Sequence, residues 1–461
     1  MKKAAVVIDC GQKYQAMRGF GASGAWWAQE VGGWDRTDPA SGKSVRDRIS
    51  ELLYSKTAGI GLSIYRYNIG AGSADSGKGD IGNPLRRAHC FETVAGEYDW
   101  SADANAVYMM RQAVKDGADE IILFANSPPE RLTVNGKAHS NPGFRPNLKG
   151  KNAPAFARFL MDVAEHFAGE GLPVKSISPV NEPQWKWTGG QEGCHDRPRG
   201  VRRVMRACAE ELEKRPALKG VKLSGPENGD IRFFNKSYIR PLLYDKVVKR
   251  NLDAVDVHSY FTQIRLPLLG RLVNDRPAFL RRFGKWMAKK HPGVPVNMSE
   301  WTHMKGGRDS GMDSALEMAK IMVEDLSLMN AVSWQHWIAV SEVDFCDGLI
   351  YINLADKTFE LTKRYYATGN FSLFIERGAE RIAASCDDEQ MLVLAFEKDG
   401  KITVIAVNRA DEPISCAFPP GPADLYVTDD NADLKKIPGI EAGDVLLSPR
   451  SVNTLVYQSN R

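Results

Sequence analysis

No stretch of this 461-residue chain approaches the apolar length needed to cross a bilayer as a helix, which excludes an integral helical membrane protein. Cysteine is sparse. The seven residues (Cys10, Cys90, Cys194, Cys208, Cys346, Cys386, Cys416) are odd in number, widely spaced and without a CxxC pair. That pattern excludes a disulfide framework or a zinc site and fits reduced thiols. An excess of one charge is missing too: 61 basic against 57 acidic residues leave +4, with Lys and Arg scattered along the chain, so neither nucleic acid nor a membrane surface is an expected partner. The N-terminus has two lysines but only a five-residue apolar run before Asp9, too short for the apolar centre of a signal peptide, so the expected location is cytoplasmic. HxH, HExxH and GxSxG are absent, and Gly70-Ala-Gly-Ser-Ala-Asp-Ser-Gly77 lacks the GK[ST] ending of a phosphate loop. No metal, no cofactor and no serine nucleophile are expected.

What the chain does have is length and rhythm. A hydrophobic fraction of 43% and a charged fraction of 26% are those of a globular protein large enough for a barrel and a smaller module. After Arg18-Gly-Phe-Gly-Ala-Ser23, strand-like and helix-like segments alternate. Helical spacing at 44–58 leads to a strand at 62–68. A helix at 101–115, with Ser101 as N-cap and Gly117 past its end, leads to a strand at 120–126. A helix at 154–168 precedes the strand that climbs to Glu182. The helices 199–214, 235–250, 278–290 and 312–329 precede strands ending near Glu227, Tyr260, Glu300 and Trp337, and a last helix covers 363–375. Eight βα units imply a closed parallel (β/α)8 barrel, predicted over 17–375, with the long segments 69–100 and 127–151 as loops at its active end.

Beyond residue 376 the helices stop. Short strands at 391–397, 402–408, 425–428, 445–447 and 452–457, separated by turn residues, read as a small β-sandwich. Strand-like residues 4–9 and 12–18 lie outside the barrel and are expected to join it, so the accessory domain is predicted over 1–16 and 376–461.

The chemistry lies at the strand ends. Ser176-Ile-Ser-Pro-Val-Asn-Glu-Pro-Gln-Trp185 delivers Asn181 and Glu182 to a loop mouth, with Trp185 and Trp187 just beyond. Pro295-Val-Asn-Met-Ser-Glu-Trp301 does the same for Glu300 and Trp301. The other strand ends offer Arg66, Asn68, Asn126, Glu227, His258, Tyr260, His336 and Trp337, and Trp26 follows the first strand. Two carboxylates on strands four and seven can face each other over a cleft, as a retaining glycosidase needs: one attacks the anomeric carbon, the other protonates the leaving oxygen and then activates water. The acid must hold its proton through burial or a neighbouring negative charge; the nucleophile must stay ionised beside donors such as Arg66, His258 and Tyr260. Asn181 suits the sugar hydroxyl next to the anomeric centre. A non-catalytic sugar-binding barrel and a metal-dependent hydrolase are the competing classes.

In this order, Gly19-Phe-Gly-Ala-Ser23, Arg66, Val180-Asn-Glu-Pro183, His258-Ser-Tyr260, Ser299-Glu-Trp301 and Trp337, with the flanking β-sandwich, resemble glycoside hydrolase family 30 over essentially the whole chain. The resemblance implies Glu182 as acid/base, Glu300 as nucleophile, retention, and Arg66, Asn181, His258, Tyr260 and Trp337 around the cleaved sugar. Gly24-Ala-Trp-Trp27 and Asn181–Trp187 followed by Gln191-Glu-Gly-Cys194 look most like the endo-β-1,6-galactanase branch, which implies a galactan or galactooligosaccharide substrate such as arabinogalactan side chains. The other specificities of the family are β-glucosidase, β-xylosidase and xylanase. Enzymes acting on polymeric galactan belong outside the cell; a cytoplasmic copy is expected to trim imported oligosaccharides.

Overall fold

Eight short strands close into one parallel barrel in the order in which the chain makes them: Gly19–Ser23, Ile64–Asn68, Glu120–Phe124, Val174–Ser178, Lys222–Asn228, Leu252–His258, Val296–Trp301 and Ser333–His336. The structure, a computed structural model, describes residues 2–232, 235–260 and 275–457. The ladder closes where strand eight runs beside strand one, Ser333 opposite Gly19 and His336 opposite Ala22. Helices cover the outside and side chains fill the inside, so Glu120–Phe124 and Val296–Trp301 are buried at every residue. The Gly-Phe-Gly of strand one serves a neighbouring strand: a Cβ on Gly21 would stand 2.6 Å from the Ile64 carbonyl oxygen.

Three expected helices are altered by local polar groups. The expected helix 235–250 is two, Asn235–Tyr244 and Lys246–Asn251, because the Asp245 carboxylate accepts from the N–H groups of Val247 and Val248 and starts a new helix. Ser101 is not an N-cap; its hydroxyl donates to Asp99 (2.5 Å), and the helix begins later, at Ala104–Asp116. The first helix of the pattern, Val45–Tyr54, is capped at its start by Ser44, which accepts from Asp47 N–H, and ends early where the Ser55 hydroxyl accepts from the N–H groups of Thr57 and Ala58.

The accessory domain is one seven-stranded sheet: Lys2–Ala16, Glu380–Cys386, Met391–Lys398, Lys401–Asn408, Ser451–Tyr457, Ile414–Thr428 and Lys435–Leu447, in that spatial order. It folds over itself, since Lys2–Ala5 also pairs in parallel with Ile414–Ala417. The two layers enclose Ala4, Val6, Ile382, Val404, Leu425 and Leu455. The two expected N-terminal strands are one, Lys2–Ala16, with irregular register between Asp9 and Lys13. The first strand after the barrel, Glu380–Cys386, and the length of the two outer strands escaped the sequence pattern.

Candidate active site

The barrel strands end in a layer of polar groups. Strand two supplies Arg66, wholly buried, its guanidinium lying 3.7 Å from the centroid of the Phe124 ring on strand three. From there it reaches three ways, to Glu300 Oε2 at 2.7 Å, Asn181 Oδ1 at 3.1 Å and Glu227 Oε1 at 3.3 Å. Strand six supplies His258, also wholly buried. Its Nδ1 faces Glu182 Oε1 at 2.9 Å and Glu300 Oε1 at 3.4 Å, and its Nε2 faces Glu227 Oε2 at 3.0 Å. Tyr260 donates to Glu300 Oε1 at 3.3 Å. Asn181 donates to Asn126 (3.0 Å), which donates in turn to Asn68 (3.1 Å).

Glu182 sits beyond the end of strand four rather than on it, on a turn with φ 42°. Its N–H donates to the Glu227 carbonyl (2.9 Å) and its own carbonyl accepts from the Trp187 indole (3.0 Å). Glu227 has φ 55° as well. Two adjoining glutamates in the left-handed region are uncommon in L-residues, and such backbone is kept where its surroundings over-determine it.

Charge arithmetic separates the carboxylates. Burial would push Glu227 upward, but Arg66, His258 and the Ser299 hydroxyl prevail and pull it down to about 2. Ser178 is a further donor to it, at 2.9 Å. Burial would likewise discharge His258, but the surrounding Glu300, Glu182 and Glu227 win and push it up to about 10, so the ring is an imidazolium. Two resident cations, Arg66 and His258, therefore stand against three carboxylates. Glu182 is raised above the ordinary carboxylate range, by burial first and also by the negative charge of Glu300.

Above this layer opens a cleft of about 490 Å3 with Glu182 and Glu300 in its floor. Trp26, Trp187, Tyr260, Trp337 and Arg86 stand around them, with Thr302, Met304 and the segment Val343–Asp347 on the remaining side. Trp26 meets Trp337 edge to face at 4.9 Å, and the Arg86 guanidinium covers Trp26 at 4.6 Å.

The structure thus brings Glu182, Glu300, Arg66, Asn126, Asn181, His258, Tyr260, Trp26 and Trp337 into one network or its cleft, and leaves two of the sequence-derived residues at its margin. Trp301 packs on His303 and Trp334 and does not line the cleft. Trp185 does not line it either; its place there is taken by Trp187. His336 is removed from the cluster: its Nε2–H donates to the Asp347 carbonyl (2.8 Å), and burial pushes it down to about 3, leaving it neutral. Sequence reasoning collected Glu227 as a strand end but gave it no role, and it missed Arg86 and the 343–347 segment. Glu227 had one signal, its place at the end of the strand between those of Glu182 and His258.

Glu182, His258 and Glu300 each offer one oxygen or nitrogen within 4.8 Å of the others, a donor set of the size a cation needs. Those atoms already face positive charge: Arg66 lies on Glu300 and the imidazolium on Glu182. Chemically, two carboxyl groups this close above a cationic floor suit double displacement at an acetal carbon, where roughly 5–5.5 Å separates nucleophile from acid/base.

A profile of O-Glycosyl hydrolase family 30 matches residues 3–351. The chain is 29% identical over 399 residues to an endo-beta-1,6-galactanase of Hypocrea rufa, covering 81% of this chain and 75% of that one. It is 24% identical over 356 residues to the glucuronoxylanase XynC of Bacillus subtilis, covering 74% and 71%. A conserved exported protein from Bacteroides fragilis shares the fold with a TM-score of 0.85 at 23% identity, over 98% of this chain and 100% of that one.

Proposed function

The chain belongs to glycoside hydrolase family 30, and from that premise we propose that it cleaves β-1,6-linked galactan or galactooligosaccharides with retention, Glu300 as nucleophile and Glu182 as acid/base. The observation that carries the mechanism is the pair of carboxylates converging on His258 Nδ1, one held by Arg66 and Tyr260, the other with no ion-pair partner but the ring among the described residues. In the first step a Glu300 oxygen attacks the anomeric carbon while the glycosidic C–O bond breaks and Glu182 gives its proton to the leaving oxygen. In the second, Glu182 takes a proton from water, the water oxygen attacks the same carbon, and the bond to Glu300 breaks. Arg66 and Tyr260 hold Glu300 in place and aim it. Asn181 spends one N–H on Asn126 and turns the other to the sugar hydroxyl beside the reacting carbon, where the hydrogen bond tightens as charge develops. Trp26, Trp337 and Trp187 offer the apolar faces on which sugar rings stack.

The galactan assignment is supported by the relative named as an endo-β-1,6-galactanase; the xylanase relative marks the second reading. The test is product analysis on a β-1,6-galactooligosaccharide ladder with wild type and Glu300→Gln side by side. Release of galactose or galactobiose by wild type, reduced at least ~10³-fold in the variant, is the expected result. Product lengths separate exo from endo action. Turnover of xylan or aryl β-glucosides without release from the ladder would overturn the sugar and keep the mechanism.

A further inference from the structure

Five basic residues fall within positions 197–206, and in the fold Lys151 joins them. The N-terminal ends of two neighbouring helices, Ala153–Gly169 and Pro198–Leu212, flank a groove of two joined parts, about 170 and 620 Å3. Lys151, Arg197, Arg199, Arg202, Arg203 and Arg206 line it, against only Asp196 and Glu210. Arg202 and Arg206 are held by Asp245. Among the described residues, Lys151, Arg197, Arg199 and Arg203 have no carboxylate at ion-pair distance, and all four are exposed. Arg203 lies so close over Gly150 that a Cβ there would meet its guanidinium at 2.1 Å, so the glycine makes room for the cation in the groove floor. Both helix N-termini add their partial positive charge to the same spot.

The groove adjoins the cleft through one short segment. Trp187 lines the cleft, Lys186 beside it lies over the Phe144 ring at 4.8 Å, and the Phe144 carbonyl accepts from Arg197 (3.4 Å) at the groove edge. Phe144 itself is exposed. A chain leaving the cleft past Trp187 therefore meets an aromatic step and then four cations that have no ion pair among the described residues.

We propose that this groove is a second binding site, outside the catalytic cleft, for a carboxylate-bearing glycan segment: uronate residues carried on or beside the polysaccharide that the cleft cuts. The inference rests on the carbohydrate reading of the cleft. Guanidinium groups match carboxylates in paired hydrogen bonds. With a net charge of only +4, the molecule as a whole has no general pull on polyanions, so recognition belongs to this groove and is screened by salt.

The test is affinity electrophoresis through native gels containing polygalacturonate at about 50 mM salt, a regime where exposed charges still act over roughly 10 Å or more. Wild type is expected to be retarded, and Arg199→Glu/Arg203→Glu to bind roughly tenfold more weakly or worse, with Lys151→Glu giving a smaller loss in the same direction. Raising the salt is expected to weaken wild type and leave the double variant little changed. Equal melting temperatures check that these exposed substitutions leave the fold intact. No retardation of wild type, equal binding by the variants, or tighter binding of duplex DNA or anionic vesicles than of polygalacturonate would overturn the proposal. Cleavage of neutral β-1,6-galactooligosaccharides, measured in parallel, is expected to be the same in all variants. Its absence in every one would refute the sugar assignment, while gel retention separately decides the groove.

Discussion

Gly229 shows how little freedom the catalytic layer has: a Cβ there would stand 2.2 Å from Glu182 Oε1 and 2.4 Å from the Trp185 indole nitrogen. The backbone just past strand five thus leaves no room beyond Glu182, and Trp185 packs there instead of in the cleft. His258 is the residue on which the charge balance turns. Its native pKa, about 10, lies above the ordinary value near 6.5, so the imidazolium contributes stability that is complete below the ordinary value and lost as pH rises through about 10. His258→Gln, which leaves three buried carboxylates facing one arginine, is expected to destabilise the protein by about 3 kcal/mol or more at neutral pH. Urea unfolding at several pH values checks this: the gap to wild type should narrow toward pH 10, and a gap constant from neutral to alkaline pH would show that the ring is neutral in the folded protein. At this scale most of the network was legible, because each member sits on, or within a few residues past, a strand whose existence the period of two and the βα rhythm had announced. Glu227 was not assigned a role because an acidic strand end has the same appearance whether it reacts or holds others in place. Only the four donors around it reveal the second.

Loops decide what the strands cannot. The segment after strand two and the segment after strand four both wall the active end of the barrel, and one buried carboxylate ties them together. Glu192 accepts from the N–H groups of Ala71 (3.0 Å) and Ser73 (3.2 Å) and from the Ser73 hydroxyl (2.6 Å). Ser73 in turn accepts from Ala88 N–H (3.1 Å), fastening the far side of the same loop. Glu192→Ala leaves three donors without their acceptor, a local loss of roughly 1–3 kcal/mol for each buried group left unpaired. We expect faster proteolytic nicking between residues 74 and 100 and a raised KM with kcat changed far less, since the reacting carboxylates stay in place. A fall in kcat with KM unchanged would mean that the tie acts on the chemistry itself. Such a tie could not be read from the sequence. The spacing between Ser73 and Glu192 has no period, and the turn that lifts Trp187 into the cleft depends on a backbone with φ 49° that composition does not announce. Helix interiors were legible from their apolar faces; their ends moved where an Asp side chain captured local N–H groups, as at Asp245 and at Asp99, which accepts from Ser101 N–H.

At the scale of the whole molecule, barrel and accessory sheet share one core, which bears on whether either stands alone. Leu394, Phe396, Ile405, Val407 and Val452 of the sheet belong to the same apolar cluster as Phe371 and Ile375 behind strand eight, and as the barrel residues Phe20 and Leu123. A polar pin crosses the same boundary. Asn370, wholly buried, donates to the Tyr426 carbonyl (3.2 Å) and the Thr454 hydroxyl (3.0 Å), and accepts from the Thr428 hydroxyl (2.6 Å). Its backbone carbonyl takes the Thr454 hydroxyl proton (2.7 Å). The change from βα rhythm to bare strands near residue 376 marks the two modules in the sequence, but it says nothing of their common interior, because contacts between distant segments leave no period. The shared core is expected to make unfolding one cooperative event, in which the calorimetric and van't Hoff enthalpies agree. Asn370→Leu, close in volume but without the polar groups, removes the three side-chain hydrogen bonds to Tyr426, Thr428 and Thr454 at the boundary, and is expected to lower the melting temperature while keeping a single transition. Two separated transitions in wild type would mean that the sheet is an independent passenger. Two transitions in the variant alone would mean that the asparagine, more than the apolar cluster around it, couples the halves. A single lowered transition would place the accessory sheet in the same cooperative unit as the strand ends that hold the catalytic pair.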